Sequence, residues 1–300
     1  MRYCPYNKWH NAKVGILLRI SIANVYNGEK RKAVSVMASG RMEFHAQSIM
    51  QHASFSFVLP NDVEMAEVRE PRHYKRPTKT LILLHGLTGT DTDWLYGGVA
   101  QDMAIQYNLA VFMPAAGNNF YLDRGYPGGG WGSFVGEELP DYIQKVFGYC
   151  NRREDTLIGG LSMGGYGALH TALNYPERFS GCIALSAALR TRAIAEGRQD
   201  GVIPEAMLRD IFGDPGSLLK SDRNPEWQYL RLKGKQIPAI YMAIGTEDHL
   251  YACNQEFKSF LEEQKADFRY EEGPGGHFWS FWNAYLPRGL DWLLRDETVS

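Results

Sequence analysis

Residues 158–168 read Ile-Gly-Gly-Leu-Ser-Met-Gly-Gly-Tyr-Gly-Ala and lie between an apolar run and a stretch with helical periodicity. Within them, residues 160–164 match the pattern G-x-S-x-G. A serine at a sharp turn from a strand into a helix has strained backbone angles, and glycines two residues before and after it let the neighbouring backbone approach closely. The stretch therefore predicts a strand, a tight turn that exposes the hydroxyl of Ser162, and a helix.

A glycine-rich helix start that binds a phosphate group is the alternative interpretation of these residues. Neither G-x-G-x-x-G nor G-x-x-x-x-G-K-[ST] occurs in the chain, which weakens a nucleotide-binding interpretation. The motif stands between a predicted strand and a predicted helix, and a further glycine follows at Gly165. Because that context is what a nucleophilic serine requires, we favour this role for Ser162.

Outward from this turn, strand-like and helix-like stretches alternate along the chain. Apolar runs predict strands over residues 55–59, 80–84, 109–114, 156–160, 181–186, 239–245 and 268–270, and helical patterns cover 94–107, 134–149, 164–174, 254–266 and 278–295. This alternation predicts an α/β fold with a mostly parallel central sheet and helices on both faces. Residues 189–236 interrupt the alternation, so we interpret them as an insertion over the sheet edge that acts as a partial lid.

The composition is that of an ordinary globular protein. Of 300 residues, 44% are hydrophobic and 22% are charged, which excludes disordered, collagen-like and coiled-coil classes. The net charge of −2 gives no indication of a nucleic-acid partner. The longest apolar runs are too short to span a membrane, and the four cysteines lack zinc-type spacing. We therefore expect a cytoplasmic protein without a disulfide framework.

The first part of the chain differs from the rest. Residues 1–45 contain eight Lys or Arg and only two acidic residues. A basic interaction arm would explain this charge, but an upstream leader, a cloning-derived segment or a mis-called start explains it equally, and we favour that second group. A cleaved signal over 14–23 is disfavoured because Arg19 interrupts its apolar run. We expect residues 1–41 to be an extension and 42–300 to be a catalytic domain.

A serine hydroxyl needs a base and an orienting acid to become a good nucleophile, and in this type of sheet they follow the serine in the order acid, then histidine. His277 lies in a glycine-rich loop before the last predicted helix, whereas His249 directly follows an acid at a strand end. We therefore predict His277 as the base. For the acid we prefer Asp248 to Glu247, because the shorter side chain holds a histidine more rigidly.

The anionic intermediate of such a reaction needs two N–H donors. The N–H of Met163 stands at the predicted helix start, and the N–H of Leu87 follows a strand end at His85-Gly86. We predict these two donors as the oxyanion hole, and we expect His85 to order the loop rather than to react. Several aromatic residues are candidate walls of the substrate pocket, with core packing as the alternative: Trp94 and Trp131 first, then Tyr121, Phe278 and Trp279.

Four stretches together carry a family resemblance: Leu-His-Gly-Leu-Thr-Gly (84–89), Gly-Leu-Ser-Met-Gly-Gly-Tyr-Gly-Ala (160–168), Gly-Thr-Glu-Asp (245–248) and Gly-Gly-His-Phe-Trp-Ser-Phe-Trp (275–282). They resemble the tributyrin esterase branch of the esterase D family, α/β-hydrolases related to S-formylglutathione hydrolases and mycolyltransferases. The likeness covers roughly residues 42–295. It implies an α/β-hydrolase fold and hydrolysis of short-chain acyl esters by a serine, without a cofactor.

The resemblance assigns Ser162 as nucleophile, Asp248 as orienting acid, His277 as base, and Leu87 and Met163 as oxyanion donors. S-formylglutathione hydrolases usually carry a histidine where this chain has Leu161, which favours a carboxylesterase acting on acetyl, feruloyl or tributyrin-type esters. An S-formylglutathione thioesterase and a non-catalytic carbohydrate-binding protein are the alternatives. The expected partner is a small-molecule ester. The sequence leaves open whether the chain forms a homo-oligomer. Because H-E-x-x-H is absent and the histidines do not cluster, we expect no metal.

Overall fold

The computed structural model of the protein describes residues 36–198, 201 and 203–295. Its strands are β1 (Val36–Ala46), β2 (Gln51–Asp62), β3 (Lys79–Leu84), β4 (Leu109–Pro114), β5 (Thr156–Leu161), β6 (Gly181–Leu185), β7 (Ala239–Gly245) and β8 (Phe268–Gly273). They form one sheet in the order β1-β2-β4-β3-β5-β6-β7-β8. β2 is antiparallel to both β1 and β4, and the remaining neighbours are parallel. The prediction of a mostly parallel sheet is confirmed.

The helices are α1 (Asp93–Tyr96), α2 (Ala100–Tyr107), α3 (Trp131–Ser133), α4 (Leu139–Phe147), α5 (Met163–Asn174), α6 (Thr191–Ala195), α7 (Glu205–Phe212), α8 (Pro215–Leu218), α9 (Pro225–Arg231), α10 (Tyr251–Glu263) and α11 (Trp279–Leu293). A π-helical turn, Phe134–Glu138, joins α3 to α4, and 3-10 turns cover Met65–Glu67, Pro71–Lys75 and Arg153–Asp155. In the described part of the chain, no helix is both long enough and apolar enough to cross a bilayer.

The central strands are buried on both faces, as their continuous apolar sequences require. Along β3, Ile82 and Leu84 contribute to one core cluster while Leu81 and Leu83 contribute to the other. Residues of α4, α5 and α10 fill the first cluster, and residues of α1, α2 and α11 fill the second. Helices thus cover both faces of the sheet. This arrangement leaves the carboxyl ends of the parallel strands at one edge, where ligands bind in such sheets.

The sheet begins earlier than the sequence suggests. β1 starts at Val36, and residues 36–41 pair with β2. Arg41, one of the basic residues taken as part of an extension, forms an ion pair of 2.7 Å with Asp91. The domain boundary expected at Met42 therefore lies too late. The candidate signal over 14–23 and the rest of residues 1–35 lie outside the described residues.

Two elements of the structure differ in detail from the sequence prediction. The helix expected over 94–107 is divided into α1 and α2 at Gly97 and Gly98, since glycine is a poor helix former. The described residues of the insertion expected over 189–236 form four short helices, α6 to α9. They follow β6 and precede β7, so this segment lies between the serine and the carboxylate of the predicted site.

Candidate active site

Ser162 occupies the predicted turn between β5 and α5. Its backbone angles, φ 55° and ψ −118°, are values that residues other than glycine rarely adopt. The turn is held by its own peptide groups: the N–H of Ser162 donates to the carbonyl of Leu185 at 2.8 Å, and its carbonyl accepts from Ala188 at 3.0 Å. A Cβ at Gly160 would overlap the backbone of Gly164. The glycine before the serine is therefore required by close backbone contact, as the motif predicts.

Asp248 and His277 are joined by a hydrogen bond of 2.8 Å between Oδ2 and Nδ1. The Asp248 side chain is completely buried, and its Oδ1 accepts the N–H of Leu250 at 2.9 Å. Burial alone would raise the pKa of this carboxyl, but the hydrogen bonds from His277, Leu250 and Ser186 outweigh it, so that the pKa of Asp248 is lowered. Asp248 is therefore a carboxylate, and it fixes the ring of His277 with Nδ1 as the donor.

Two backbone contacts bring the loop of His277 to Asp248. The N–H of Glu247 donates to the carbonyl of Gly275 at 3.0 Å, and that of Thr246 donates to Gly273 at 2.9 Å. A Cβ at Gly245 would overlap the carbonyl of Gly275, so glycine permits this approach of the two loops. Glu247 itself is exposed and accepts from the Thr246 hydroxyl at 2.7 Å. The structure thus pairs His277 with Asp248, not with Glu247.

Trp282 supports this pair, and sequence reasoning did not identify it. Its ring packs edge-on against His277 with centroids 5.0 Å apart. Its indole N–H donates to the hydroxyl oxygen of Ser186 at 3.0 Å, and Ser186 is one of the groups that lower the pKa of Asp248. A signal was present in the sequence, since Trp282 lies one helical turn after Phe278 in the stretch Phe-Trp-Ser-Phe-Trp.

One cavity of about 380 Å³ brings the predicted residues together. Its walls include Ser162, His277, Leu87 and Met163. The volume falls within the range of about 300–1,000 Å³ that is typical of small-molecule sites. The further lining residues are Gly86, Thr88, Gly89, Asp93, Phe120, Leu161, Ala188, Arg190, Ile203, His249, Leu250, Trp279 and Trp282. The predicted nucleophile, the predicted base and both predicted oxyanion donors therefore line the same cavity.

The two predicted oxyanion donors lie in ordered backbone. α5 begins at Met163, so the N–H of that residue has no acceptor within its own helix. Leu87 stands in a turn closed by the N–H of Gly89, which donates to the carbonyl of Gly86 at 3.1 Å. Both N–H groups belong to residues that line the cavity.

His85 orders the turn that contains Leu87 from behind, as the sequence predicts. Its Nδ1 lies 2.7 Å from the carbonyl oxygen of Gly86, and its Nε2 accepts the N–H of Ala116 at 3.0 Å. This pair of contacts makes Nδ1 the donor. Burial lowers the pKa of His85, in agreement with a neutral ring. Because the backbone uses both ring nitrogens, His85 shapes the loop of Leu87.

Trp94 and Trp131 are not pocket walls, so both predictions are wrong. Trp94 is completely buried, and its indole N–H donates to the carbonyl of Leu84 at 3.0 Å. Trp131 is partly buried and packs against the core, with its ring centroid 6.0 Å from that of Phe134. Neither is among the residues that line the cavity. Of the aromatic candidates, Trp279 lines the cavity, whereas Tyr121 is buried and Phe278 is exposed.

His249 lies beside the Asp248–His277 pair. Its Nδ1 is 3.5 Å from Oδ1 of Asp248, and its ring centroid is 4.7 Å from that of His277. Its side chain is 45% exposed and borders the cavity. The expectation that the histidines do not cluster is therefore wrong at this position, where the chain folds two of them against one carboxylate.

Comparison with known proteins agrees with this geometry. The family model named Esterase, described as "putative esterase", matches residues 47–293. The chain belongs to this esterase family. The acetyl esterase of Caldicellulosiruptor saccharolyticus is 37% identical over 264 residues, which cover 86% of this chain and 99% of that protein. The family resemblance of the sequence motifs is thus confirmed.

Two solved structures of Staphylococcus aureus proteins resemble this esterase. The fluorophosphonate-binding serine hydrolase FphF has a TM-score of 0.74 at 26% identity, over 87% of this chain and 99% of its own. The S-formylglutathione hydrolase FrmB has a TM-score of 0.73 at 27% identity, over 87% of this chain and 100% of its own. The esterase therefore has the predicted α/β-hydrolase fold, with serine hydrolases as its structural neighbours.

Proposed function

We propose that this esterase is a serine carboxylesterase that hydrolyses short-chain acyl esters through an acyl-enzyme on Ser162. One observation carries the proposal: the hydrogen-bonded pair of Asp248 and His277 reaches the cavity that also holds Ser162 on its strained turn. A base oriented by a carboxylate and a nucleophile in one cleft are the two requirements of acyl transfer.

The reaction follows from which atoms hold protons. Because Nδ1 of His277 donates to Asp248, Nε2 accepts the proton of the Ser162 hydroxyl as its oxygen attacks the ester carbonyl. The N–H groups of Leu87 and Met163 stabilise the negative charge that develops on the carbonyl oxygen. His277 then gives its proton to the departing alcohol, which leaves the acyl group on Ser162. Water then gives a proton to His277 as its oxygen attacks the acyl carbon. His277 returns that proton to the Ser162 oxygen as its bond to the acyl group breaks, which releases the acid.

The cavity supports a small acyl group. Leu161, Phe120 and Ile203 provide apolar wall, and the volume of about 380 Å³ holds a compact substrate. The acetyl esterase relative favours the same substrate class. We therefore expect kcat/KM to be highest for p-nitrophenyl acetate in a series that runs to the octanoate and includes a feruloyl ester.

S-formylglutathione hydrolysis is the second candidate, which the likeness to FrmB supports. Comparing kcat/KM for p-nitrophenyl acetate and S-formylglutathione decides between the two. A fluorophosphonate probe should label the protein, and Ser162→Ala should abolish both labelling and turnover. An unlabelled parent protein, or a labelled Ser162→Ala variant that turns over ester, would contradict the serine mechanism.

The lid role of residues 189–236 belongs to the same proposal. Arg190 and Ile203 of this segment line the cavity, which supports a contact with substrate. Ile203→Ala should therefore shift the preference towards longer acyl chains, whereas Leu219→Ala, at an exposed position of the same segment, should leave it unchanged. An unaltered chain-length profile in Ile203→Ala would argue against the lid.

We also place the protein in the cytoplasm. Free thiols at Cys150, Cys182 and Cys253 support a reducing compartment. Cell fractionation with a fusion at the C-terminus tests this location, and recovery of the protein outside the cytoplasmic fraction would contradict it.

A further inference from the structure

Three metal-ligating side chains meet beside the cavity: Asp248, which is buried, and His249 and His277, which line the cavity. One donor atom from each lies within 4.8 Å of the others. The carboxylate stands between the two rings: Oδ2 is 2.8 Å from Nδ1 of His277, and Oδ1 is 3.5 Å from Nδ1 of His249. Two imidazole nitrogens and a carboxylate oxygen form a ligand set typical of Zn²⁺ sites in proteins.

We infer that these three side chains form an inhibitory binding site for Zn²⁺. Bonds of about 2.0–2.2 Å from a tetrahedral ion place its ligand atoms about 3.3–3.6 Å from one another. The two distances from Asp248 involve different oxygens: Oδ1 lies 3.5 Å from His249, which fits this spacing, and Oδ2 lies 2.8 Å from His277, which is less than 1 Å too short. Since one ligand atom from each side chain lies within 4.8 Å of the others, the three have to shift by about 1 Å to close on the ion. His249 is 45% exposed, whereas the Asp248 side chain is completely buried, so the ion would approach the carboxylate from the side of the two rings.

The bound ion would block catalysis by changing the tautomer of His277. A ring nitrogen cannot hold a hydrogen and coordinate an ion at once, so Nδ1 has to give up the hydrogen it donates to Asp248. In the neutral ring that hydrogen moves to Nε2. Nε2 then becomes a donor and can no longer accept the proton of Ser162. This consequence rests on the proposed function, whereas binding of the ion does not.

His249 distinguishes this site from the catalytic pair alone. Asp248 and His277 supply only two ligands, and His249 supplies the third from an exposed position that the proposed reaction does not use. Mg²⁺ prefers oxygen ligands and octahedral geometry, so it should neither bind nor inhibit here. Zn²⁺ inhibition should therefore depend on His249 and should not be reproduced by Mg²⁺.

The first experiment measures the Zn²⁺ concentration that halves p-nitrophenyl acetate hydrolysis, each variant being compared with its own metal-free rate. His249→Gln should raise this concentration by at least about tenfold, since losing even an outer-shell partner of a metal site costs 10–100-fold. His249→Cys keeps a zinc ligand and should stay sensitive. EDTA should restore activity in the parent protein.

The control uses a second histidine pair. His45 and His52 lie opposite each other on β1 and β2, both are exposed, and their rings are 5.8 Å apart. The double variant His45→Gln/His52→Gln should remain as sensitive to Zn²⁺ as the parent. If this variant loses the inhibition, or if His249→Gln keeps it, the proposed site is wrong.

The second experiment measures binding without turnover. Calorimetric titration of Zn²⁺ into Ser162→Ala should show one site, which weakens at least about tenfold when His249→Gln is added. Unchanged affinity in that double variant would overturn the site. If Ser162→Ala binds Zn²⁺ through His249 but the parent hydrolyses no ester, the metal site stands and the proposed function fails.

Discussion

The guanidinium Nε of Arg41 lies 2.7 Å from Oδ2 of Asp91, which joins the edge strand β1 to the segment that follows the turn of Leu87. The Asp91 side chain is only 2% exposed, against 55% for Arg41. Burial raises the pKa of Asp91, but hydrogen bonds from Arg41, Thr90 and Ser56 outweigh it, so the net shift is downward. Asp91 is therefore a buried charge whose stabilisation depends on β1.

Arg41→Ala should lower the free energy of unfolding by about 1–3 kcal/mol, the usual effect of removing a hydrogen bond to a buried charge. Urea denaturation at pH 7 measures this change. The control is Arg69→Ala, which removes an exposed ion pair of 3.2 Å with Asp102. That variant should lose less than about 1 kcal/mol. Equal losses in the two variants would show that the buried pair has no special importance.

The same pair makes stability depend on pH. The folded-state pKa of Asp91 lies below its unfolded value, so its contribution is fully present above the ordinary aspartate value of about 3.9 and is lost as the pH falls below it. The stability difference between the parent and Arg41→Ala should therefore shrink between pH 6 and pH 3. Thermal unfolding across this range measures it, and a constant difference would contradict the assignment.

Asp248→Asn should lower kcat by a factor on the order of 10⁴, with little effect on KM, because the amide cannot hold His277 in the required tautomer. Steady-state kinetics with p-nitrophenyl acetate measure kcat and KM. The control is Glu247→Gln at the neighbouring exposed acid, which should keep most of the activity. The opposite result, with Glu247→Gln inactive and Asp248→Asn active, would move the orienting acid to Glu247.

The acid side of the pH–rate profile should show the uptake of one proton. Ester hydrolysis is expected to fall in acid, because an imidazole that already carries a second proton cannot accept one from Ser162. Asp248 should add no second step above about pH 4, because its pKa is lowered from the ordinary aspartate value. Log(kcat/KM) should thus fall with a slope of one. A slope of two, or a flat profile down to pH 4, would contradict these roles.

Trp282→Phe should reduce kcat by about fivefold, because it removes one hydrogen bond of about 1 kcal/mol and keeps most of the ring that packs on His277. Ser186→Ala should have a similar effect, since Trp282 donates to its hydroxyl. The double variant should be little worse than either single variant if both act through Asp248. If the fold-losses in kcat of the two single variants multiply in the double variant, Trp282 and Ser186 act independently.

Much of the site could be predicted because its signals are local. Ser162, Asp248 and His277 each stand where a strand ends, beside glycines that allow close backbone approach. Such a pattern is visible in a few neighbouring residues. The same reasoning placed most strands, since continuous apolar runs mark strands that are buried on both faces. It also singled out Leu87 and Met163, which line the cavity.

The incorrect predictions depend on contacts between distant residues. Trp94 and Trp282 look alike in sequence, and only packing decides that the first is core and the second a cavity wall. The charge of Arg41 suggested an extension because its partner, Asp91, lies 50 positions away. His249 joins His277 only after two loops meet. Sequence patterns do not specify such pairings.

The backbone conformation of Ser162 sets thermal stability and catalysis against each other. A non-glycine residue at φ 55° and ψ −118° carries a conformational penalty of about 1–3 kcal/mol. Glycine would relieve this penalty but would abolish the nucleophile, so the most robust version of this turn is an inactive one. Selection for heat resistance alone would therefore tend to replace Ser162 and remove its hydroxyl. A screen for thermostable variants has to measure turnover at the same time.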